Sequence, residues 1–247
     1  RWAESHEKRS EIGILKHASL VTVISEALWQ KAIVAGVPAS KVHLVPSGGD
    51  LALFHPMPRE QARAALGLPP DGPAMVYVAN YHPDEEFLLD VLQRVFAAMP
   101  ECRFLYTGPA FRRTVHPNMI HLGRLDARQI AQVIAAGDVA VLPMADTPHN
   151  RARCPQKLLD YLASGRPVIS CNVGEVGRIL RSRPLAGRLS APTASEFAEA
   201  ILQVLRMPEE QRARMQMAAR QASEEEFNWN RAVEMIQEML SRCVFDL

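Results

Sequence analysis

The chain has 247 residues, of which 48% are hydrophobic and 22% are charged, and its mean hydropathy is −0.08. This composition predicts a globular protein with a substantial buried core, and it excludes a disordered or fibrous chain. The formal net charge is only +1, so no global electrostatic field recruits nucleic acid or an anionic membrane. Any basic binding site must therefore be local.

The four cysteines lie far apart and form no CxxC pair: Cys102, Cys154, Cys171 and Cys243. They predict free thiols in a reducing compartment and no structural zinc. No apolar run approaches the roughly 20 residues that span a bilayer. We expect a cytoplasmic location, which includes peripheral attachment at the inner membrane face. The first residue is Arg1 rather than methionine, as expected of a fragment.

The first 71 residues predict a small unit followed by a connector. Its expected elements are a helix over 1–17, a strand over 19–24, a helix over 26–35 and a strand over 42–45. Ser25 is a typical N-cap and Gly36 a typical helix end. The proline-rich stretch 50–71, with a short helix around 60–66, indicates an interdomain connector.

From residue 74 onward, short apolar runs alternate with helical patterns. The predicted strands are 75–79, 103–107, 119–122, 138–142, 167–171 and 186–189, and the predicted helices are 85–98, 127–136, 156–163, 175–181 and 194–205. This alternation predicts right-handed βαβ units and an α/β fold with a Rossmann-like parallel sheet covered by helices on both faces. The last forty residues predict helices interrupted at 227–229, with Trp229 as a packing anchor and an amphipathic final helix over 231–240.

The most informative loop is 143–155, since ligands of open parallel sheets bind beyond the carboxyl ends of the strands. Pro155 suits the first turn of the next helix, so the first amides of that helix should face the loop. Three cations stand close by in sequence, namely Arg151, Arg153 and Lys157. A helix N-terminus with two or three cations predicts an anion site of diphosphate size.

Asp160 follows Lys157 by three residues, which places a cation and a carboxylate on nearly the same helical face. A nucleotide needs both, the cation for phosphate and the carboxylate for ribose hydroxyls. The alternative is an ordinary surface pair worth a few tenths of a kcal/mol. The loop histidines His82 and His121 are more typical of polar surface than of ligand contact.

Three segments, 138–143, 155–169 and 173–177, resemble the donor-binding half of glycosyltransferases with the GT-B fold, family 4 in particular. Other segments resemble further parts of that family in the same order: 22–28, 45–50 and 53–56 the end of the acceptor domain and the linker, 120–124 the turn that receives the base, and 227–229 the terminal crossover. The resemblance implies three parts: residues 1–50 as the tail of the N-terminal acceptor domain with the linker, 51–225 as the nucleotide-sugar-binding domain, and 226–247 as a crossover helix.

The resemblance implies roles for individual residues. Asp160 matches the second glutamate of the family's Glu-x7-Glu motif, which implies contact with ribose hydroxyls. The first glutamate falls at Ala152, so its contact with the sugar is absent or supplied from elsewhere, with Asp146 and Asn150 as candidates. The Arg and Lys that many members place after the first donor-domain strand are replaced by Asn80-Tyr-His-Pro-Asp84.

Lys157 resembles the phosphate-binding lysine of GT-B enzymes that lack those residues, including the inverting glucuronosyltransferases of family 70. The diphosphate is accordingly assigned to Lys157, assisted by Arg153 or Arg151, with Lys157 and Arg153 as the catalytic pair. The expected donor-binding residues are Asp160, Arg151, Asp146, Asn150, Gln156, Gly123, Arg124, Leu125 and Asn80.

The implied activity is transfer of a hexose from a nucleoside diphosphate, with UDP-sugar favoured over GDP-sugar as donor. We expect no cofactor and, because no Asp-x-Asp motif is placed as a metal anchor, no metal. The implied acceptor is lipid-linked or a polysaccharide, and most of the acceptor domain is missing, which calls for a further domain or a partner chain. Two alternatives stay open: a sugar-nucleotide epimerase of the same fold, and a binding module without turnover.

Overall fold

The computed structural model describes residues 2–245 of the chain, and the side chains of residues 10–242. The helices are α1 (Trp2–His17), α2 (Glu26–Val34), α3 (Arg59–Ala65), α4 (Glu85–Ala98), α5 (Ala127–Ala136), α6 (Pro148–Ala152), α7 (Gln156–Ala163), α8 (Gly174–Ser182), α9 (Ala194–Leu205), α10 (Glu209–Glu225) and α11 (Trp229–Phe245). The strands are β1 (Val21–Val23), β2 (Val42–Leu44), β3 (Ala74–Tyr77), β4 (Arg103–Tyr106), β5 (Met119–His121), β6 (Val139–Leu142), β7 (Val168–Cys171) and β8 (Gly187–Ser190).

Six of the strands form one parallel sheet in the order β5-β4-β3-β6-β7-β8. The direction of winding reverses between β3 and β6, where Val76 pairs with Ala140. In a doubly wound sheet this reversal opens a crevice beyond the carboxyl ends of the two strands. The predicted α/β fold with a Rossmann-like sheet is confirmed.

Helices cover this sheet in packed pairs: α4 with α9, α3 with α5, and α7 with α10. Strands β3, β6 and β7 are buried along their whole length, as expected of parallel strands with helices on both faces. Strands β1 and β2 pair in parallel in a separate small sheet with its own apolar cluster, which contains Val21, Ala32, Val37 and Val42.

A buried ion pair joins the connector to the sheet. The Asp138 carboxylate, immediately before β6, accepts hydrogen bonds from Arg59 Nη1 at 2.6 Å and from the backbone N–H of Ala74 at 2.8 Å. Arg63 Nη2 lies 3.3 Å from the same carboxylate, and the Arg63 side chain is fully buried. Helix α3 is therefore fixed to the amino ends of β3 and β6.

The terminal crossover packs on the linker. A Cβ atom on Gly48 would lie 2.2 Å from the Trp229 nitrogen, and the N–H of Gly49 donates to the Phe227 carbonyl at 2.9 Å. Phe227 is fully buried, whereas Trp229 is 51% exposed, so the prediction of Trp229 as the packing anchor is wrong. The anchor is Phe227, because the chain turns outward at Trp229 to begin α11 two residues earlier than predicted.

Four helices have the predicted bounds, namely α4, α5, α7 and α9. Helix α6 was not predicted, because its five residues are too few to show a helical period. It begins after Thr147, whose hydroxyl accepts from the Asn150 N–H at 3.1 Å, with Pro148 in its first turn.

The cysteines Cys102, Cys154 and Cys171 are buried and free, as predicted, and the Cys243 side chain lies outside the described residues. Within residues 2–245, no helix combines the length and the apolar character that a membrane-spanning segment requires.

Candidate functional site

The candidate site lies where β3 and β6 end, at the reversal of the sheet. Residues 78–84 leave β3 and lead into α4, and residues 143–155 leave β6 and lead into α7. Pro155 precedes α7 in an extended conformation, and its side chain cannot cap the helix. The first amides of α7 thus keep the anion-binding character of a helix N-terminus.

Lys157 lies in the first turn of α7 and reaches back to the end of β3. Its Nζ atom lies 5.0 Å from the centroid of the Tyr77 ring, within the range of a cation–π contact. The pKa of Lys157 is lowered to about 8, mainly by burial and also by the Arg153 charge, while the Asp84 carboxylate opposes the shift. A partly desolvated ammonium is costly unless it meets an anion, so Lys157 is a candidate for binding an anionic ligand.

Arg153 is the second cation of the crevice. It follows α6 with extended backbone angles, φ −100° and ψ 151°, and its Nη2 lies 3.5 Å from the Met144 sulfur. Among the described residues, no acceptor is bonded to its buried Nε–H. A buried donor left without an acceptor costs about 1–3 kcal/mol.

Asp84 brings a carboxylate to the same crevice. Burial raises the pKa of Asp84, and the charges of Arg153 and Lys157 oppose that rise. We predicted no role for Asp84 beyond its place in the segment that replaces the missing basic residues. The available signal was its position directly after β3, next to the reversal of the sheet.

Asp160 lies on α7 one turn beyond Lys157 and faces the linker. Gln156 Nε2 donates to Asp160 Oδ1 at 3.1 Å and to the Gly48 carbonyl at 2.9 Å. Burial raises the pKa of Asp160 to about 6; the bond from Gln156 lowers this pKa, and the Asp50 carboxylate raises it. The start of α7 therefore presents a cation toward β3 and a carboxylate toward residues 48–50.

Arg151 and Asp146 pair with each other rather than with Lys157. Arg151 Nε and Nη2 donate to the two carboxylate oxygens of Asp146 at 2.5 and 2.7 Å, and both side chains are exposed. Together with α2 and α8 they line a separate polar cavity of 430 Å³. Asn150 is buried, and its amide donates to the Ala145 carbonyl at 2.8 Å. Arg153 is therefore the loop arginine that the structure brings to Lys157.

The turn expected to receive the base lies at the edge of the crevice. The Gly123 carbonyl accepts from the Gly108 N–H at 2.8 Å, Arg124 is exposed and Leu125 is half-buried. Gly108 has φ +92°, and a Cβ atom there would lie 1.9 Å from the Ala79 carbonyl oxygen. The loop after β4 thus touches the loop after β3, which contains the exposed Asn80.

His82, in the loop after β3, and His121, the last residue of β5, are both engaged in packing. The His82 ring stacks on Phe111 with centroids 4.3 Å apart, and its Nε2 donates to the Pro109 carbonyl at 2.7 Å. The His121 ring stacks on Tyr106 at 4.9 Å, and its Nε2 lies 2.8 Å from the Gly108 carbonyl oxygen. Both rings hold the loop between β4 and β5 against the end of the sheet.

Among the residues that the structure describes, no three His, Cys, Asp or Glu side chains are grouped closely enough to hold a metal ion. The crevice instead combines two cations with helix amides. Such a set of donors suits a polyanion.

These observations define the class of protein: a doubly wound α/β chain with a basic crevice at the reversal of its sheet, the place where such folds bind nucleotides. The chain belongs to the family described as "Glycosyl transferases group 1", whose profile matches residues 72–207. The matched range runs from β3 to α9 and includes Lys157, Arg153, Asp84 and Asp160.

Two relatives illustrate the similarity in sequence. A protein of Bacillus subtilis (strain 168), assigned to teichuronic acid biosynthesis as the glycosyltransferase TuaH, is 25% identical over 203 residues, 78% of this chain and 47% of TuaH. The D-inositol 3-phosphate glycosyltransferase of Mycobacterium leprae (strain Br4923) is 25% identical over 223 residues, 84% of this chain and 50% of the relative. The chain thus spans about half the length of these curated relatives.

Solved structures show the same fold. Sucrose-phosphate synthase from Thermosynechococcus elongatus superimposes with a TM-score of 0.75 at 26% identity, over 96% of this chain and 61% of the synthase. Anabaena Alr3699/HepE, solved in complex with UDP and glucose, superimposes with a TM-score of 0.78 at 20% identity, over 95% of this chain and 66% of HepE. Together with the family match, these likenesses confirm the predicted glycosyltransferase resemblance and the GT-B fold.

Proposed function

We propose that this chain is the donor-binding portion of a glycosyltransferase that takes a hexose from a nucleoside diphosphate sugar, with UDP as the favoured nucleotide. The observation that carries the proposal is the convergence of Lys157 and Arg153 at the ends of β3 and β6, where Arg153 has a buried N–H without an acceptor among the described residues. Family membership and the UDP bound to HepE support the same assignment.

In this proposal each group of the crevice meets one part of the donor. Lys157, Arg153 and the first amides of α7 bind the diphosphate, Asp160 accepts from the ribose hydroxyls, and the turn 123–125 receives the base through backbone groups. The negative charge of the diphosphate grows as the glycosidic bond breaks. Oriented cations therefore stabilise the transition state more than the bound donor, which lowers the barrier.

The proposed transfer uses neither a cofactor nor a metal, since protein cations neutralise the leaving diphosphate. The acceptor, lipid-linked or a polysaccharide, is bound by a further domain or by a partner chain in the cytoplasm or at the inner membrane face. The chain covers about half of its curated relatives, which is consistent with a separate acceptor-binding part.

Calorimetric titration with UDP and with GDP tests the donor site. We expect wild-type protein to bind UDP more tightly than GDP, and Lys157→Ala to lose about 1.5 to 3 kcal/mol of UDP binding, the contribution of a charged hydrogen bond. Lys31→Ala is the matched control, because Lys31 is exposed on α2. Equal UDP affinity in wild type and Lys157→Ala contradicts the assignment.

A second candidate is a binding module without turnover, and one observation favours it. Ala152, which stands where the family places its sugar-contacting glutamate, contributes only its carbonyl, which accepts from Ser25 Oγ at 2.6 Å. Incubation with intact UDP-sugar separates the possibilities. Slow release of free sugar supports a transferase site, interconversion of the sugar supports an epimerase, and binding with neither supports the module.

A further inference from the structure

Ser25 joins the N-terminal unit, formed by β1, β2 and α2, to the loop that carries Arg153. It precedes α2 with an extended backbone, φ −151° and ψ 153°, and its side chain is fully buried. Ser25 Oγ accepts from the Leu28 N–H at 3.2 Å and donates to the Ala152 carbonyl at 2.6 Å. One hydroxyl therefore caps α2 and also bonds to the end of α6, 127 residues further along the chain.

This bond falls on the peptide group directly before Arg153. The carbonyls in the last turn of a helix have no partner within that helix, and Ala152 is the last residue of α6. Because a peptide group is planar, a bond that fixes the Ala152 carbonyl also fixes the direction in which the chain enters Arg153. Ser25 thus constrains the backbone from which the Arg153 side chain extends.

Contacts with α8 hold the same segment from a second side. A Cβ atom on Gly174 would lie 2.7 Å from the Arg151 Cα, so the start of α8 packs directly on the backbone of α6. The buried Glu175 carboxylate accepts from Arg178 Nε at 2.6 Å and from the Glu26 N–H at 3.4 Å. The start of α2 is therefore bonded to both α6 and α8.

The direction of the Arg153 guanidinium matters because hydrogen bonds from this planar group depend strongly on geometry. Its buried Nε–H has no acceptor among the described residues, so its own contacts leave this donor free for a ligand. Resting on the proposed function, we infer that Ser25 is a positioning residue of the donor site, which orients Arg153 toward the diphosphate through the Ala152 carbonyl. The N-terminal unit thereby contributes to donor affinity without contact with the donor.

Two variants of Ser25 separate this role from the capping of α2. Ser25→Gly removes the hydroxyl and keeps a residue that is tolerated at an N-cap. Ser25→Thr keeps the hydroxyl, and its branched side chain suits the extended backbone at this position. Thr193→Gly is the matched control, because it removes the exposed hydroxyl that caps α9 by accepting from the Glu196 N–H at 3.3 Å.

Calorimetry with UDP, inorganic pyrophosphate and uridine measures the effect, at a temperature where all variants are folded. We expect Ser25→Gly to bind UDP and pyrophosphate about 3- to 10-fold more weakly than wild type, the contribution of one hydrogen bond. Uridine affinity should stay unchanged, because uridine has no diphosphate. Ser25→Thr and Thr193→Gly should bind all three ligands as wild type does.

A double-mutant cycle with Arg153→Ala adds a readout that a purely structural role would not change. Lys157 remains in Arg153→Ala, so pyrophosphate should still bind at lower affinity. A residue that acts through the Arg153 side chain has no further effect once that side chain is removed. Ser25→Gly should therefore change pyrophosphate affinity by less than about twofold in the Arg153→Ala background.

The possible outcomes distinguish this inference from the proposed function. UDP binding that is equal in wild type and Ser25→Gly, or that falls equally in Ser25→Gly and Ser25→Thr, overturns the role of Ser25 and leaves the proposed donor in place. An equal loss of pyrophosphate affinity with and without the Arg153 side chain also overturns it. The expected pattern with pyrophosphate, but with no UDP bound by any variant, supports the role of Ser25 and contradicts the proposed donor.

Discussion

Lys157 Nζ lies 5.0 Å from the centroid of the Tyr77 ring, so the first turn of α7 and the last residue of β3 meet across the reversal of the sheet. The ring presents its negative face to the ammonium. This contact explains how a long, flexible side chain is oriented before a ligand arrives.

The Tyr77 ring should contribute to donor binding through Lys157 alone. Tyr77→Leu is expected to weaken UDP binding by about 0.5 to 2 kcal/mol, the range of a cation–π contact, whereas Tyr77→Phe keeps the ring and the affinity. Calorimetry at a temperature where both variants are folded checks this. Identical UDP affinity in Tyr77→Leu and Tyr77→Phe would show that the ring does not contribute to UDP binding.

The affinity for UDP should fall at an acidic and at an alkaline pH limit and be highest between them. Because the pKa of Lys157 is about 8, the ammonium is lost as the pH rises through 8. Because the pKa of Asp160 is about 6, the carboxylate, which is the better acceptor, is lost as the pH falls through 6. Affinity should therefore be highest between about pH 6 and 8. Asp160→Asn should make the acidic limit shallower and keep the alkaline one; an equally steep acidic loss in Asp160→Asn and wild type would exclude Asp160 from the nucleotide site.

Replacing Lys157 should stabilise the fold while it weakens donor binding. Burial lowers the pKa of Lys157 to about 8 from its ordinary value near 10.5, so folding disfavours the ammonium, and wild-type stability rises as the pH rises from 8 toward 10.5. Lys157→Met should thus raise the Tm at pH 7, as substitutions at strained functional sites often do. The exposed Lys31→Met is the control, and a lower Tm for Lys157→Met would indicate a structural role instead.

Breaking the ion pair at the amino ends of β3 and β6 should destabilise the fold, in contrast to replacement of Lys157. Asp138→Ala leaves the buried Arg63 guanidinium uncompensated and should lower the free energy of unfolding by about 3 to 5 kcal/mol. Glu210→Ala, which breaks an exposed pair with Arg214 on α10, should cost under about 0.5 kcal/mol. Chemical denaturation measures both, and similar losses for the two variants would contradict the buried role of Asp138.

The sequence predicted the sheet and the start of α7 because local signals mark both. Pro155 before the helix and Ser164-Gly165 after it gave α7 its bounds, and the alternation of apolar runs with helices gave the parallel sheet. The same signals placed Lys157 and Asp160 on one short helix.

Two features of the site depend on packing that the sequence does not reveal. Helix α6 turns the chain between Arg151 and Arg153, so one arginine pairs with Asp146 and the other reaches the crevice, although they are two residues apart. Asp84 reaches the same crevice from a distant part of the chain, because the pairing of β3 with β6 brings the ends of these strands together. Neither outcome is encoded in local periodicity.

A crystal structure of the chain with UDP tests the central claim most directly. We predict the diphosphate within hydrogen-bonding distance of Lys157 Nζ and the Arg153 guanidinium, and the ribose hydroxyls at Asp160. Ordered UDP bound elsewhere, such as in the polar cavity between α2 and α8, with Lys157 still over Tyr77 and no phosphate beside it, would contradict the account.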